Sequence, residues 1–232
     1  MATVARSRPR WRCRCSAVGE RGSGPLVVKV GGGLLESGGI AGLRRACDVV
    51  SELARIRPVL VVPGGGPFAD AVRTADACGQ LGDELAHRLA LAAMDQLGAV
   101  IGELLPAAEP IDALRAPAAL GLLLAAPAFA GRPGVPESWE VTSDSLAALA
   151  AGAIGAREVI LLKAVAGVLP RWPSSEPPFA ELSAGRLREL QEAGGAGAVD
   201  AYLPTVIERT GVSVRVRAPG PDAAPGTLIT PS

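Results

Sequence analysis

Lysine is nearly absent from this sequence. Of 23 basic residues only Lys29 and Lys163 are lysines, and the rest are arginine. With Ala, Gly and Pro abundant, this is a compositional bias that places Arg wherever a positive charge is all that is needed. The two lysines that persist are therefore marked for chemistry that a guanidinium does not serve. Neither sign of charge is in excess. The 23 basic residues meet 23 acidic ones for a formal net charge of zero, which removes bulk attraction to nucleic acid or an anionic membrane. Cysteine is scarce as well. Cys13, Cys15, Cys47 and Cys78 have neither the paired spacing of a zinc site nor the density of a disulfide scaffold, so a reducing cytoplasm fits. No apolar run reaches the roughly 18 residues of a membrane span. The longest, Pro117 to Ala130, is broken by Pro127 and reads as a buried strand.

What is present suffices for a full core: 232 residues of which 49% are hydrophobic. Residues 1–24 carry Arg6, Arg8, Arg10, Arg12, Arg14 and Arg21 with no acid before Glu20. They read as a disordered basic extension or the product of a start codon placed too early, with an organellar transit peptide as the sharper alternative. Residues 25–232 read as a single domain. Leu26 to Val30, LVVKV, has the continuous β-branched character of a buried parallel strand and ends in Gly31, Gly32 and Gly33. A helix is expected from about Ile40 to Arg57, then a strand after Pro58 that ends in Pro63 and a second glycine cluster, Gly64 to Gly66. Asp83 to Leu105 reads as a long helix with Leu85, Leu89, Leu97 and Leu104 on one side, fit to be buried in the core or between subunits. A strand follows at Leu120 to Leu124, and Ser143 is the expected N-cap of a helix over Leu146 to Ile154. Glu158 to Leu162 reads as a strand, Pro170 to Pro178 as a loop, and Ala184 to Glu192 as a helix. Short strands at Val212 to Val216 and Thr227 to Thr230 close the chain. The alternation predicts an α/β protein, a three-layer α/β/α sandwich with a mainly parallel sheet.

A glycine run directly after a buried strand lets the backbone approach a ligand and turn its N–H groups toward an anion. Two such runs at the carboxyl ends of parallel strands point to the same edge of the sheet, where open α/β folds bind ligands. Neither run is GxxxxGK[ST] or GxGxxG, because Lys29 precedes its glycines and the spacing is too short.

The string VVKVGGGLL from Val27 to Leu35, followed by VLVVPGGGPFADAVR from Val59 to Arg73, resembles the opening of the amino acid kinase superfamily. TSDSLAALAA from Thr142 to Ala151 and VILLKAVAGV from Val159 to Val168 are similar to its later motifs, in order. Within the superfamily, AHRLALAAMDQLG, SWEVTSDSL and VDAYLP look most like the kinases that turn an aminomethylfuran methyl phosphate into its diphosphate for methanofuran-type cofactors. The resemblance implies an ATP- and Mg²⁺-dependent phosphotransferase acting on a small, phosphorylated acceptor. It implies that Lys29 contacts the transferred phosphoryl group and Asp144 orients that lysine. Gly31, Gly32, Gly33 and Gly167 would bind nucleotide phosphates, and Gly64, Gly65, Gly66, His87 and Ser143 the acceptor. Lys163 and Ala164 stand where many members have Thr-Asp, Ala166 stands where an acid is common, and the late lysine usual between Leu203 and Arg217 is absent. Lys163 is thus expected to supply the second charge on the phosphates, from the side opposite Lys29.

His87, the only histidine, sits among Leu85, Leu89 and Ala90, where a packed role competes with acceptor binding. Trp139 and Asp95 are further acceptor-pocket candidates, and Asp200 either lines the site or caps the next helix. Two rivals stand beside the furan phosphate reading. One is a kinase of the same fold for a nucleoside monophosphate, an isoprenoid phosphate or an amino acid. The other is a member that binds nucleotide or an oxyanion without turnover.

Overall fold

The computed structural model describes residues 24–79, 81–171, 176–195, 197–220 and 223–232. The expected basic extension, apart from Gly24, lies outside the described residues, as do Cys13, Cys15 and part of the Pro170–Pro178 loop. In chain order the elements are β1 (Leu26–Val30), α1 (Gly33–Ala54), β2 (Val59–Pro63), α2 (Gly66–Gly79), α3 (Asp83–Leu104), β3 (Glu109–Ile111), β4 (Leu120–Leu123) and α4 (Ala125–Phe129). They continue as α5 (Ser143–Ala153), β5 (Glu158–Leu162), β6 (Glu181–Ser183), α6 (Ala184–Glu192), α7 (Leu203–Thr210), β7 (Ser213–Arg217) and β8 (Thr227–Thr230).

Among the described residues the sheet has eight strands in the order β3-β4-β2-β1-β5-β7-β8-β6, parallel throughout except between β7 and β8. β1 lies between β2 and β5, so the chain leaves it first to one side and later to the other. That reversal opens a crevice at the carboxyl end of β1, where open α/β sheets take their ligands.

Alternation along the strands decides which way the lysines face. Leu26, Val28 and Val30 belong to one core cluster with Leu43, Val50, Leu97 and Ile101 of α1 and α3. Val27 belongs to the opposite cluster with Leu146, Ala147 and Ala150 of α5. Side chains on a strand repeat with period two, so Lys29 shares the α5 face with Val27. Val159 and Leu161 of β5 also belong to the α5 cluster, and Lys163, one residue past the strand, continues their parity. Both lysines therefore project to one face.

Several elements differ from the sequence expectation. α1 begins at Gly33 and contains a kink at Gly39, whose φ of 55° is outside the helical range and breaks the apolar periodicity there. α2 went unanticipated because Ala69 is its one buried side chain, which leaves no apolar stripe to read. In the apolar run from Pro117, the strand stops at Leu123 and a short helix, α4, follows. Pro127 falls in the first turn of α4, where a missing N–H costs nothing. α3 is a core helix, but Leu85 and Leu89 are exposed and its inward stripe is Leu91, Met94, Leu97 and Ile101. β3 and β6, three residues each, and α7, with Pro204 in its first turn, are too short to show a period.

Candidate active site

The centre of the crevice is a buried ion cluster. Lys29 is 5% exposed and Asp144 is 2% exposed. Lys29 Nζ lies 2.8 Å from Asp144 Oδ1 as an ion pair without hydrogen-bond alignment. Lys163 Nζ donates to Asp144 Oδ2 at 2.5 Å and to the carbonyl of Ala198 at 2.5 Å. One carboxylate thus holds two ammoniums, and the trio carries a net positive charge suited to an anion. Burial pushes the Asp144 pKa up, but Lys163 and Lys29 outweigh it and hold the carboxyl at about 2. Burial lowers the pKa of Lys29, and the charge of Asp144 opposes that shift.

Asp144 is placed by the start of α5. Thr142, not Ser143, is the N-cap, its hydroxyl accepting from Asp144 N at 3.4 Å. Ser143 is the first helical residue and lines the cavity. Asp200 then ties this helix start to the next one. It accepts from Thr142 N at 2.9 Å, Thr142 Oγ1 at 2.8 Å, Ser145 N at 3.0 Å, Ser145 Oγ at 2.5 Å and Leu203 N at 2.9 Å. Of the two alternatives for Asp200, the cap is what is found: it serves α5 and α7 together. Burial and the nearby Asp144 charge raise its pKa. The bond from Lys163 to Ala198 O then links the second lysine to the same segment.

The two glycine loops press against each other. A Cβ on Gly32 would stand 2.2 Å from both Cα and N of Gly66, and Gly66 has φ of 52°. Only glycine permits that crossing. Gly33 and Gly66 open α1 and α2, whose first N–H groups have no partner within the helix. Gly32, Gly33, Gly65 and Gly66 line a cavity of about 490 Å³ together with Lys29, Lys163, Asp144 and His87. Gly31 and Gly64 depart from the expected contacts, with nucleotide phosphates and with the acceptor respectively. Their amides extend the sheet, Gly31 N donating to Leu162 O at 2.9 Å and Gly64 N to Val30 O at 2.8 Å, so neither is turned to the cavity. Gly167 is also outside the lining, packed so that a Cβ would meet Thr227 Oγ1 at 2.5 Å.

His87 is buried on α3 and lines the cavity, with burial holding its pKa below the ordinary histidine value. Asp95 does not line it. Its carboxylate caps α4, accepting from Ala125 N at 2.5 Å and Ala126 N at 3.2 Å, so its side chain is spent on the fold. Trp139 does line it, and the neighbouring wall includes Arg73 and Asp70 of α2, which sequence reasoning missed because α2 itself was not recognised. The signal for them was the spacing of Asp70, Arg73 and Asp76, three apart. Among the described residues no three His, Cys, Asp or Glu side chains gather to hold a metal. Both oxygens of Asp144 face ammoniums, Oδ1 toward Lys29 and Oδ2 toward Lys163.

A model of the amino acid kinase family matches residues 24–217. The [5-(aminomethyl)furan-3-yl]methyl phosphate kinase of Methanocaldococcus jannaschii is 29% identical over 125 residues, which are 52% of this chain and 58% of that relative's length. Among solved structures, uridylate kinase from Archaeoglobus fulgidus superposes with a TM-score of 0.66 at 22% identity, covering 88% of this chain and 99% of its own. Aspartate kinase from Synechocystis gives 0.68 at 16% identity, covering 90% of this chain and 40% of its own. UMP kinase from Bacillus anthracis gives 0.65 at 16%, covering 90% and 96%. At such identities these likenesses establish the three-layer fold they share with this chain.

Proposed function

The chain belongs to the amino acid kinase family, and we propose that it transfers the γ-phosphoryl group of ATP to a small acceptor that already carries a phosphate. The acceptor we assign is [5-(aminomethyl)furan-3-yl]methyl phosphate, and the product its diphosphate, as the name of the M. jannaschii relative suggests. The observation that carries this reading is the pair of ammoniums on Asp144 at the mouth of two crossed glycine loops.

The chemistry follows from that charge pattern. In an in-line transfer, an oxygen of the acceptor phosphate forms a bond to the γ-phosphorus as the bond to the bridging oxygen of ADP breaks. Negative charge spreads over the equatorial oxygens, which Lys29, Lys163 and the N–H groups of Gly33 and Gly66 would stabilise. A phosphate acceptor is already ionised at neutral pH, so no base has to remove a proton. Asp144, with both oxygens committed to lysines, suits a structural part in this and not a basic one. Lys163 reaches the carbonyl of Ala198 and so brings a second charge to a chain that lacks the family's late lysine. Magnesium would enter on the phosphates of ATP, as it usually does in phosphoryl transfer. A reducing cytoplasm would suit the four cysteines, of which Cys47, buried, and Cys78, exposed, are unpaired among the described residues.

The test is ADP release by the purified chain with ATP and magnesium, across the furan phosphate, nucleoside monophosphates, isoprenoid monophosphates and amino acids. A diphosphate signal in the phosphorus spectrum with the furan phosphate alone is the expected result. Preferred turnover of another acceptor would reassign the substrate. A second reading, nucleotide binding without turnover, draws on the exposed Ala164 and Ala166, which stand where acids are common in the family. Saturable ATP binding without ADP from any acceptor would favour it.

A further inference from the structure

The cavity wall beyond the two lysines is made by α2, α3 and residues 139–141. Arg73 and Trp139 meet there, the guanidinium carbon 5.0 Å from the centroid of the indole. Both are pinned from α2. Arg73 Nη1 lies 2.5 Å from Asp70 Oδ1, and the indole N–H of Trp139 donates to Asp76 Oδ2 at 2.8 Å. Asp70, Arg73 and Asp76 fall three apart and share one side of the helix. Helical side chains lean toward the N-terminus, so Arg73 reaches back over the turn of Asp70, in the direction of Gly66. The same cavity is lined by the apolar Ala69, Leu91, Met94 and Val141 and by the polar Asp70 and His87.

A guanidinium is planar and has two faces, and the indole covers one of them. We propose that the other face is a platform for the acceptor's ring. A flat, π-rich ring lies on Arg73, extending the stack to indole, guanidinium and ring, while its phosphate arm runs to Gly65 and Gly66. This rests on the reading of the chain as a kinase of a phosphorylated acceptor, and it narrows the substrate class to planar aromatic or heteroaromatic phosphomonoesters. Saturated and branched acceptors of equal charge lose the contact between cation and ring face. An apolar wall without the platform would rank them the other way, because a saturated ring has more hydrocarbon surface to bury.

Calorimetric titration of the full chain without ATP tests this, using benzyl phosphate and cyclohexylmethyl phosphate as probes. The wild type should bind benzyl phosphate on the order of fivefold tighter, the size of a partly exposed cation–π contact. In Arg73→Lys, which keeps the charge and loses the plane, and in Trp139→Leu, that preference should fall to none or reverse while the melting temperature of Arg73→Lys is unchanged. Equal affinity of the wild type for both probes overturns the platform, as does no binding of either, or a preference that survives in both variants. If the furan phosphate is not phosphorylated while the probe preference stands and is lost in the variants, the acceptor assignment falls and the platform is supported.

Discussion

Asp144 between Lys29 and Lys163 is a residue whose partners depend on it more than it depends on either of them. Removing its charge leaves the buried Lys29 and half-buried Lys163 ammoniums uncompensated, which in buried pairs costs about 3–5 kcal/mol. Asp144→Asn should therefore lower the urea midpoint sharply and abolish turnover. Lys29→Met leaves the Asp144–Lys163 pair in place, so the circular dichroism spectrum should be unchanged while kcat falls about 10²- to 10³-fold, the loss typical of one transition-state donor. The Asp144 carboxyl, held at about 2, predicts the acid limb of stability. Its folded pKa lies below the unfolded value of about 3.9, so it adds stability above pH 4 that disappears as pH falls toward 2, an amount of about 2–3 kcal/mol. Asp200 and Asp95 have raised pKa values and act with the opposite sign, gaining stability as pH falls through their folded values. Urea midpoints from pH 6 to pH 2 should accordingly show the loss only at the acid end, and Asp144→Asn should flatten it. Lys29 and Lys163, which the structure brings together on Asp144, could be singled out in the sequence because a composition that spends Arg freely had kept them. For Asp200 the cap on the next helix was among the alternatives, but its tie back to α5 was not legible, because Thr142 and Ser145 lie 55 to 58 residues away and no local pattern records them.

At the level of elements, the crossing of the two glycine loops separates positions that look alike in sequence. A methyl on Gly32 would strike the backbone of Gly66, whereas one on Gly33 meets nothing within 4 Å. Gly32→Ala should then lose roughly 1–3 kcal/mol or more in a melting experiment, since neither backbone can give way. Gly33→Ala should melt like the wild type, yet show a raised KM for ATP because the methyl enters the cavity. The strands at β1, β2 and β5 were readable because each is a five-residue segment made mostly of Val, Leu and Ile, and the long helices because they bury a stripe. α2 buries too little to leave a trace. The edge strands β3 and β6 are specified by pairing with neighbours and not by their own period.

On the scale of the whole molecule, the strand order places β1 at the reversal point and α5 over the face that both lysines share. The sequence order of motifs implied the fold, but the convergence of Lys29, residues 142–145, Lys163 and residues 197–200 on one spot is a product of topology. The two halves of the cavity accordingly differ in how freely they can change. Around Gly32 and Gly66, backbone touches backbone, and no side chain can be introduced without moving a strand end. The wall of α2, α3 and residues 139–141 is made of side chains, from Ala69 and Arg73 to Leu91, Met94 and Trp139. If the glycine end handles phosphate as proposed, a lineage built on this scaffold would keep that end fixed while new acceptors arise by substitution along the wall, so retargeting would fall to a few positions on α2, α3 and the segment before α5.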